Sequence, residues 1–271
     1  VQPDPHSLKT QRVAAIPEWW HSIDLGDGVV TPGHKTPELL EEELASLRLP
    51  PLAGRTVLDI GTWDGFYAFE AERRGAARVV AVDHYVWACD WDKATEYVER
   101  CRTAGRTPEP FDRVPELWAF DALPGKRGFD LAHELRASSV EVVVDNFMTS
   151  DLEVLGAFDV VLYLGVLYHQ RHPLSALERV RRVTKSVAII ETHATFFAGS
   201  EELPLWRFVE GDELNDDHTN WWVPNIEGLC ALTRSAGFRD VEVLQGPPSA
   251  FDDLPPGAPP SDFRAIVHAF A

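Results

Sequence analysis

Asp59 and Asp83 frame the stretch of this sequence whose residue types and spacing are most specific about chemistry. Val57-Leu58-Asp59-Ile60-Gly61-Thr62-Trp63-Asp64-Gly65 reads as a strand, a turn and a helix start, and Phe66-Tyr67-Ala68-Phe69-Glu70 continues the helix. Gly61 and Gly65 let the backbone turn tightly and approach a ligand with no Cβ in the way. A second strand, Val79–Val82, ends in Asp83. An acidic side chain at that strand end accepts both hydrogen bonds of a ribose diol. The glycines do not follow GxGxxG, so the turn is not cleared for a pyrophosphate on a helix N-terminus. Trp63 and Asp64 occupy it instead, and a carboxylate there repels phosphate but accepts from an amino group. The stretch selects a nucleoside that carries an amino acid over a dinucleotide, which disfavours a nicotinamide oxidoreductase.

The DIGxxDG pattern, with Asp83 after it, resembles the first motif and the ribose-binding acid of class I S-adenosylmethionine-dependent methyltransferases. Phe158-Asp159-Val160-Val161-Leu162 looks like the fourth strand of that family, and Ala236-Gly237-Phe238 like its last helix end. The resemblance implies that S-adenosyl-L-methionine is held by Trp19, Asp59, Gly61, Thr62, Trp63, Gly65, Asp83, His84, Asn146, Phe147, Leu164 and Tyr168, with Asn146 and Phe147 beside the adenine. A narrower resemblance lies in Leu164-Gly165-Val166-Leu167-Tyr168-His169 with Arg171 and Pro173, and in Trp19-Trp20-His21, Ile23-Asp24 and Gly28. These residues are similar to the wobble-uridine tRNA carboxymethyltransferase-like (DUF1698) group, which uses carboxy-S-adenosylmethionine. Three differences set this chain apart. The connection after the second strand is much longer, no clear counterpart of the group's C-terminal carboxylate-gripping Arg is read, and Leu164 stands where the group has Met. They favour a divergent member that uses plain S-adenosyl-L-methionine on a small-molecule acceptor, by O- or N-methylation and plausibly in secondary-metabolite biosynthesis. The alternative is a tRNA wobble-uridine alkyltransferase using the carboxylated donor. A catalytically dead scaffold is the reading opposed by intact Asp59, Gly61, Gly65 and Asp83.

Methyl transfer needs an acceptor held close and in line, and a hydroxyl acceptor is helped by a general base, most often His. His169 and His193 both follow predicted strand ends and are the candidates, with Tyr168 as the residue touching cofactor or acceptor. Glu191 lies two residues before His193, on the same side of an extended chain. A carboxylate there orients a His and favours its charged form. His218 with Asp216 and Asp217 could join Glu191 and His193 around a divalent metal. A solvated acidic loop is the preferred reading, so no metal is expected. His21, His34 and Lys35 lie in the N-terminal segment, which in the resembling group folds over the cofactor.

The elements that must position these residues alternate. Strands are read at Thr56–Ile60, Arg78–Val82, Val140–Val144, Asp159–Leu164, Val187–Glu191, Val241–Leu244 and Arg264–Phe270, and helices at Glu38–Leu47, Gly65–Arg74, Pro173–Arg182 and Asn225–Ala236. Alternation of this kind means βαβ units and a mostly parallel sheet. The resemblance implies an α/β, Rossmann-like class I methyltransferase fold with strand order 3-2-1-4-5-7-6 and strand seven antiparallel. Residues 1–50 are expected to form an N-terminal helical or lid segment and residues 51–271 the S-adenosylmethionine-binding domain. The long stretches 84–139 and 192–224 both follow strand C-termini, where open α/β sheets bind ligands. They carry Trp87, Trp91, Trp118, Phe120, Trp206, Trp221 and Trp222 and are read as aromatic-rich insertions shaping the acceptor side.

The composition agrees with an enzyme of small molecules. A net charge of −18 opposes a phosphate backbone, which disfavours a nucleic-acid partner. Cys89, Cys101 and Cys230 are odd in number and show no CxxC spacing, so free thiols in a reducing cytoplasm are expected. No apolar run is long enough to cross a membrane, and polar Val1–Thr10 is not a signal peptide. The start without Met reads as trimming or incomplete ordering. Oligomerisation is left open.

Overall fold

A computed structural model describes residues 5–271. The first four residues of the Val1–Thr10 stretch lie outside the described residues. In chain order the elements are α1 (Pro5–Ala14), α2 (Pro37–Leu47), β1 (Thr56–Ile60), α3 (Phe66–Arg73), β2 (Arg78–Asp83), α4 (Tyr85–Ala88), α5 (Trp91–Thr103) and α6 (Arg127–Leu135). They continue with β3 (Glu141–Val144), β4 (Phe158–Leu164), α7 (Pro173–Val183), β5 (Thr184–Phe196), β6 (Trp206–Phe208), β7 (Trp222–Pro224), α8 (Ile226–Ser235), β8 (Asp240–Gln245) and β9 (Ser261–Phe270).

Seven strands form one sheet in the order β3-β2-β1-β4-β5-β9-β8, and β6 pairs only with β7. With β8 and β9 as the sixth and seventh strands of the sheet, this is the expected order. β9 runs antiparallel to both of its neighbours, as expected. In β1 the side chains alternate: Leu58 and Ile60 enter a core shared with α7 and α8, and Val57 enters the core shared with α3 and α6. Asp59 therefore points to the α3 side, and the period of two puts a carboxylate into an apolar layer.

Helix starts follow the chemistry of their first residues. Thr36 accepts from the backbone N–H of Leu39 and Pro37 opens α2. Asn225 caps α8 by accepting from Gly228, and Pro173 opens α7. β5 runs well past Glu191 to Phe196, because β9 pairs with it along its length. The stretch after β2 is not uniform. Phe129, Leu131 and Ala132 of α6 pack in the α3-side core, so α6 takes the place of an ordinary crossover helix. The part before it has its own small core of Cys89, Ala94, Phe111, Val114 and Leu117. α1, absent from the sequence reading, is tied to α6 by a two-bond ion pair between Arg12 and Glu134. All three cysteines are buried and unpaired. Among the described residues no helix is long and apolar enough to cross a membrane.

Candidate active site

The turn after β1 is held from below by its own acids. The Thr62 hydroxyl donates to Asp59 at 2.7 Å, and both side chains are buried. Burial pushes the Asp59 carboxyl up to about 6, against the pull of the Thr62 hydrogen bond. Gly61 has φ +78°, and a Cβ there would lie 2.5 Å from Val166 of the loop after β4. Gly65 has φ +93°, and a Cβ there would meet Phe69 and Phe129 inside 3 Å. The two glycines thus serve backbone geometry and the close approach of other protein parts. Asp83 at the end of β2 accepts from the backbone N–H of Trp63 at 3.0 Å and of Val86 at 3.1 Å. Burial pushes its carboxyl up to about 6 as well, with these backbone donors pulling the other way.

Trp63 sits in left-handed backbone, φ +54°, where glycine is the ordinary occupant. Its ring stacks on Trp20 at 4.6 Å and on Trp91 at 6.3 Å, nearly parallel in both cases. Its carbonyl accepts from the Trp87 indole at 2.6 Å. Asp64 faces the N-terminal segment, a correction to its reading as an acceptor for a ligand amino group. Its carboxylate accepts the backbone N–H groups of Trp20 at 2.9 Å and His21 at 2.8 Å, and pairs with the His21 ring. These bonds fasten the segment over the turn.

The remaining cofactor candidates fall on the carboxyl edge of β3, β2, β1 and β4, except Trp19. Trp19 is buried, its indole donates to the Val13 carbonyl, and its ring lies against Gly128 of α6. Trp20 is the neighbour that reaches the turn. His84 stacks on Trp118 and Phe120 at 6.0 and 5.1 Å, and burial lowers its pKa. The Asn146 side chain accepts from the Met148 N–H, and Phe147 packs against Tyr163. Leu164 is half-buried at the end of β4.

The three catalytic candidates meet. Tyr168 lies 4.2 Å from His169 and 4.7 Å from His193 between ring centroids. Arg264 of β9 joins them. It forms a two-pronged ion pair with Glu191, its Nη1 donates to the Tyr168 hydroxyl at 3.4 Å, and its guanidinium lies 5.2 Å from that ring. The sequence offers no clear counterpart of the resembling group's C-terminal arginine, and Arg264 is an arginine of the last strand that the sequence did not single out. An Arg in the middle of a buried ten-residue strand needs an acidic partner, and that was the available signal. The same pairing means that Glu191 answers Arg264 rather than His193.

The loop before β7 supplies partners to both histidines. Thr219 donates its hydroxyl to Asp217 at 2.7 Å, so towards His169 Nδ1, 2.8 Å away, it can only accept. The Thr219 carbonyl is also near Nδ1, at 3.2 Å. Nδ1 thus carries the proton and Nε2 the lone pair. The Asn215 amide nitrogen lies 2.7 Å from His193 Nε2 and donates to it. Burial lowers the His169 pKa, opposed by Asp217. For His193, burial and then Arg264 push the pKa down to about 3. Trp221 N–H donates to the Tyr168 carbonyl at 2.8 Å and pins this loop to the site.

The alternative metal set is dispersed. Glu191 pairs with Arg264, His193 with Asn215, and His218 faces Asp212 at 3.6 Å. Among the described residues no group of three or more His, Cys, Asp or Glu is placed to hold a metal. In the N-terminal segment Lys35 pairs with Glu43 at 2.8 Å, and the Tyr67 hydroxyl donates to the same carboxylate. His34 tilts against Trp20.

With this geometry in place, the sequence profile of the methyltransferase-domain family matches residues 33–243. The chain belongs to this family. Curated relatives of the methyltransferase include tRNA U34 carboxymethyltransferases from Shewanella loihica, 27% identical over 196 residues, and Serratia proteamaculans, 24% identical over 196 residues. Those alignments take in 72% of this chain and 47% and 48% of the relatives, so the chain spans about half their length. Among solved structures, the N-terminal domain of EvdMO1, determined in the presence of SAH and D-fucose, aligns with TM-score 0.63 at 18% identity, covering 99% of this chain and 97% of that one. That likeness is one of fold.

The cofactor of this methyltransferase domain is S-adenosyl-L-methionine, and the residues present fit it. Asp83 is an acceptor-only side chain when ionised and stands at the β2 end, as a ribose diol requires. Sequence reasoning missed Arg264, Thr219 and Asn215, and saw Asp217 only as part of a metal set. Threonine and asparagine in an irregular loop carry no periodic signal.

Proposed function

We propose that this methyltransferase methylates a hydroxyl of a small molecule, with His169 as general base. The observation that carries the reading is the Asp217–Thr219–His169 hydrogen-bond chain, which assigns the proton to Nδ1 and leaves Nε2 as a lone pair beside Tyr168. The donor supplies an electrophilic methyl carbon on a sulfonium, and the C–S electron pair stays on sulfur as the neutral thioether. The protein's part is to hold the acceptor oxygen in line and take its proton. His193 suits the role of base poorly, because a group titrating near 3 is a weak base and Asn215 occupies its Nε2. Tyr168 keeps its proton, since burial raises its pKa, and its hydroxyl, which accepts from Arg264, can still donate to the acceptor.

The residues read as cofactor-binding on the carboxyl edge, Asp83, Asn146, Phe147 and Leu164, hold the donor in this account, and residues 5–50 act as a lid fastened by Asp64. The insertions 84–139 and 192–224 shape the acceptor mouth. They are joined at Arg171, which pairs with Asp112 at 2.6 Å and lies 4.3 Å over the Trp221 ring. The D-fucose present with the EvdMO1 domain makes a polyhydroxylated small molecule, of the kind found in secondary metabolism, the first acceptor class to assay.

A second reading has one observation in its favour. Arg264 Nη1 beside the Tyr168 hydroxyl offers a donor to an extra carboxylate, as the carboxylated cofactor of the tRNA-modifying relatives would need. The net charge of −18 weighs against tRNA. Methyl-labelled S-adenosyl-L-methionine and carboxymethyl-labelled carboxy-S-adenosylmethionine, each incubated with hydroxylated small molecules and, separately, with unmodified tRNA, separate the readings. Label in the small-molecule fraction, lost in His169→Gln with SAH affinity kept, is expected. Label in tRNA, or full turnover by His169→Gln, overturns the proposal.

A further inference from the structure

We infer that Thr219 and Asp217 form a positioning relay that fixes the tautomer of His169 and compensates the charge it gains. The inference rests on His169 as the base. The chain of hydrogen bonds runs in one direction. Asp217, an acceptor, takes the Thr219 hydroxyl proton at 2.7 Å, and the same carboxylate oxygen takes the Thr219 backbone N–H at 2.8 Å. The hydroxyl has no second proton, so its bond to His169 Nδ1 at 2.8 Å is made by the ring N–H. The opposite tautomer would set a ring lone pair against two lone-pair-bearing oxygens, the Thr219 hydroxyl and carbonyl.

When the acceptor proton moves to Nε2 the ring becomes a cation, and the nearest compensation is Asp217, one hydroxyl away. The other charged and titratable groups facing His169 oppose that cation or are neutral. Arg264 from β9 disfavours it, and His193 from β5 is uncharged at neutral pH. Tyr168, on the same turn, keeps its proton. The relay is rigid because its loop is pinned twice. Asn220 donates to the Leu214 carbonyl at 2.7 Å and to that of Asp217 at 3.2 Å, and Trp221 is bonded to Tyr168.

The test uses the full chain, with SAH bound for the spectra and with donor and acceptor for turnover, and three variants, Asp217→Asn, Thr219→Val and Thr219→Ser. Long-range proton–nitrogen spectra of labelled histidine read the His169 tautomer and titration, while steady-state assays with the acceptor read kcat against KM. In the parent protein His169 is expected as the Nδ1–H form. Asp217→Asn and Thr219→Val each lower the His169 titration midpoint, move the acid limb of the rate profile to lower pH, and reduce kcat at least about tenfold, a part of the roughly 10²–10⁴-fold that a positioned base contributes in all. KM for the donor and SAH affinity stay unchanged, and Thr219→Ser restores the parent behaviour. An unchanged titration and kcat in both Asp217→Asn and Thr219→Val overturns the relay, while loss of turnover in His169→Gln leaves the base in place. Full turnover by His169→Gln removes the base and the relay together.

Discussion

Arg264 and Glu191 meet diagonally across the β5–β9 pair, Arg264 standing opposite His193 and Glu191 opposite Ile266, in a two-pronged ion pair that also sets the Arg264 guanidinium against the ring of Tyr168. Two strands of opposite direction thereby fix a residue of the loop after β4. Removing one member leaves the other buried without compensation, at a cost of about 3–5 kcal/mol where both are fully desolvated and less here because Arg264 is partly exposed. Arg264→Met should therefore lower the denaturant midpoint clearly. Arg264→Met with Glu191→Gln should recover part of the loss. Equal stability of the single and double variants in urea titrations would count against the pairing.

The left-handed backbone at Trp63 separates strain from stacking. Trp63→Gly and Trp63→Ala both lose the contacts with Trp20 and Trp91, but only alanine keeps the φ +54° penalty. The glycine variant should be more stable than the alanine variant by about 1 kcal/mol. Thermal melts of the two side by side check this, and an alanine variant equal to or better than glycine would remove the strain from the account.

Much of this arrangement was legible in the sequence, and the reason is periodicity. Strands such as Thr56–Ile60 and Phe158–Leu164 are short apolar runs between turns, and Asp59, Gly61, Gly65 and Asp83 stand at fixed places relative to them. The sheet order followed from the family that those residues resemble. What could not be read were partners set by the third dimension. Asp64 looks like a ligand-facing acid until the N-terminal segment is seen to bring two N–H groups and an imidazole to it. Trp19 and Trp20 are adjacent and alike in sequence, yet one is in the core and the other on the turn. The helical pattern of α6 was lost inside a long aromatic stretch, and α1 lacked an apolar stripe strong enough to announce it.

Asp64 makes the N-terminal segment sensitive to one carboxylate. Asp64→Ala leaves the N–H groups of Trp20 and His21 without partners, each costing about 1–3 kcal/mol if they remain buried. Residues 19–35 should then exchange amide hydrogens faster than in the parent, with β1 and β4 unaffected. Unaltered protection over 19–35 would show that other contacts hold the segment.

Asp59 and Asp83 predict opposite pH trends for stability and for binding. Their folded pKa values, about 6, lie above the roughly 3.9 of an unfolded Asp. Their stabilising contribution is therefore fully present at low pH and is lost as pH rises through about 6. Paired carboxylates such as Asp159 and Glu141 are held low and stay ionised over that range. Between pH 7.5 and 5.5 each aspartate should add about 1 kcal/mol to the stability of the unliganded protein, while His193, His169 and His84, held below the usual histidine range by burial, cost a similar amount as the unfolded chain takes up protons, so the aspartate gain is read as the difference in melting-temperature trend between the parent and Asp59→Asn. SAH affinity should fall over the same range, because a protonated Asp83 accepts fewer hydrogen bonds from the ribose. Asp83→Asn should flatten the affinity profile, and an affinity that climbs as pH drops would contradict Asp83 as the ribose acceptor.

Calorimetric titration of the purified chain with SAH at pH 7.5 is the most direct measure of the central claim, that the Val57–Asp83 stretch builds the donor site of a methyltransferase. One site per chain with micromolar affinity, weakened at least about tenfold in Asp83→Ala by loss of hydrogen bonds to a charged group, is the result predicted. No binding by the parent protein, or equal binding by Asp83→Ala, would contradict it.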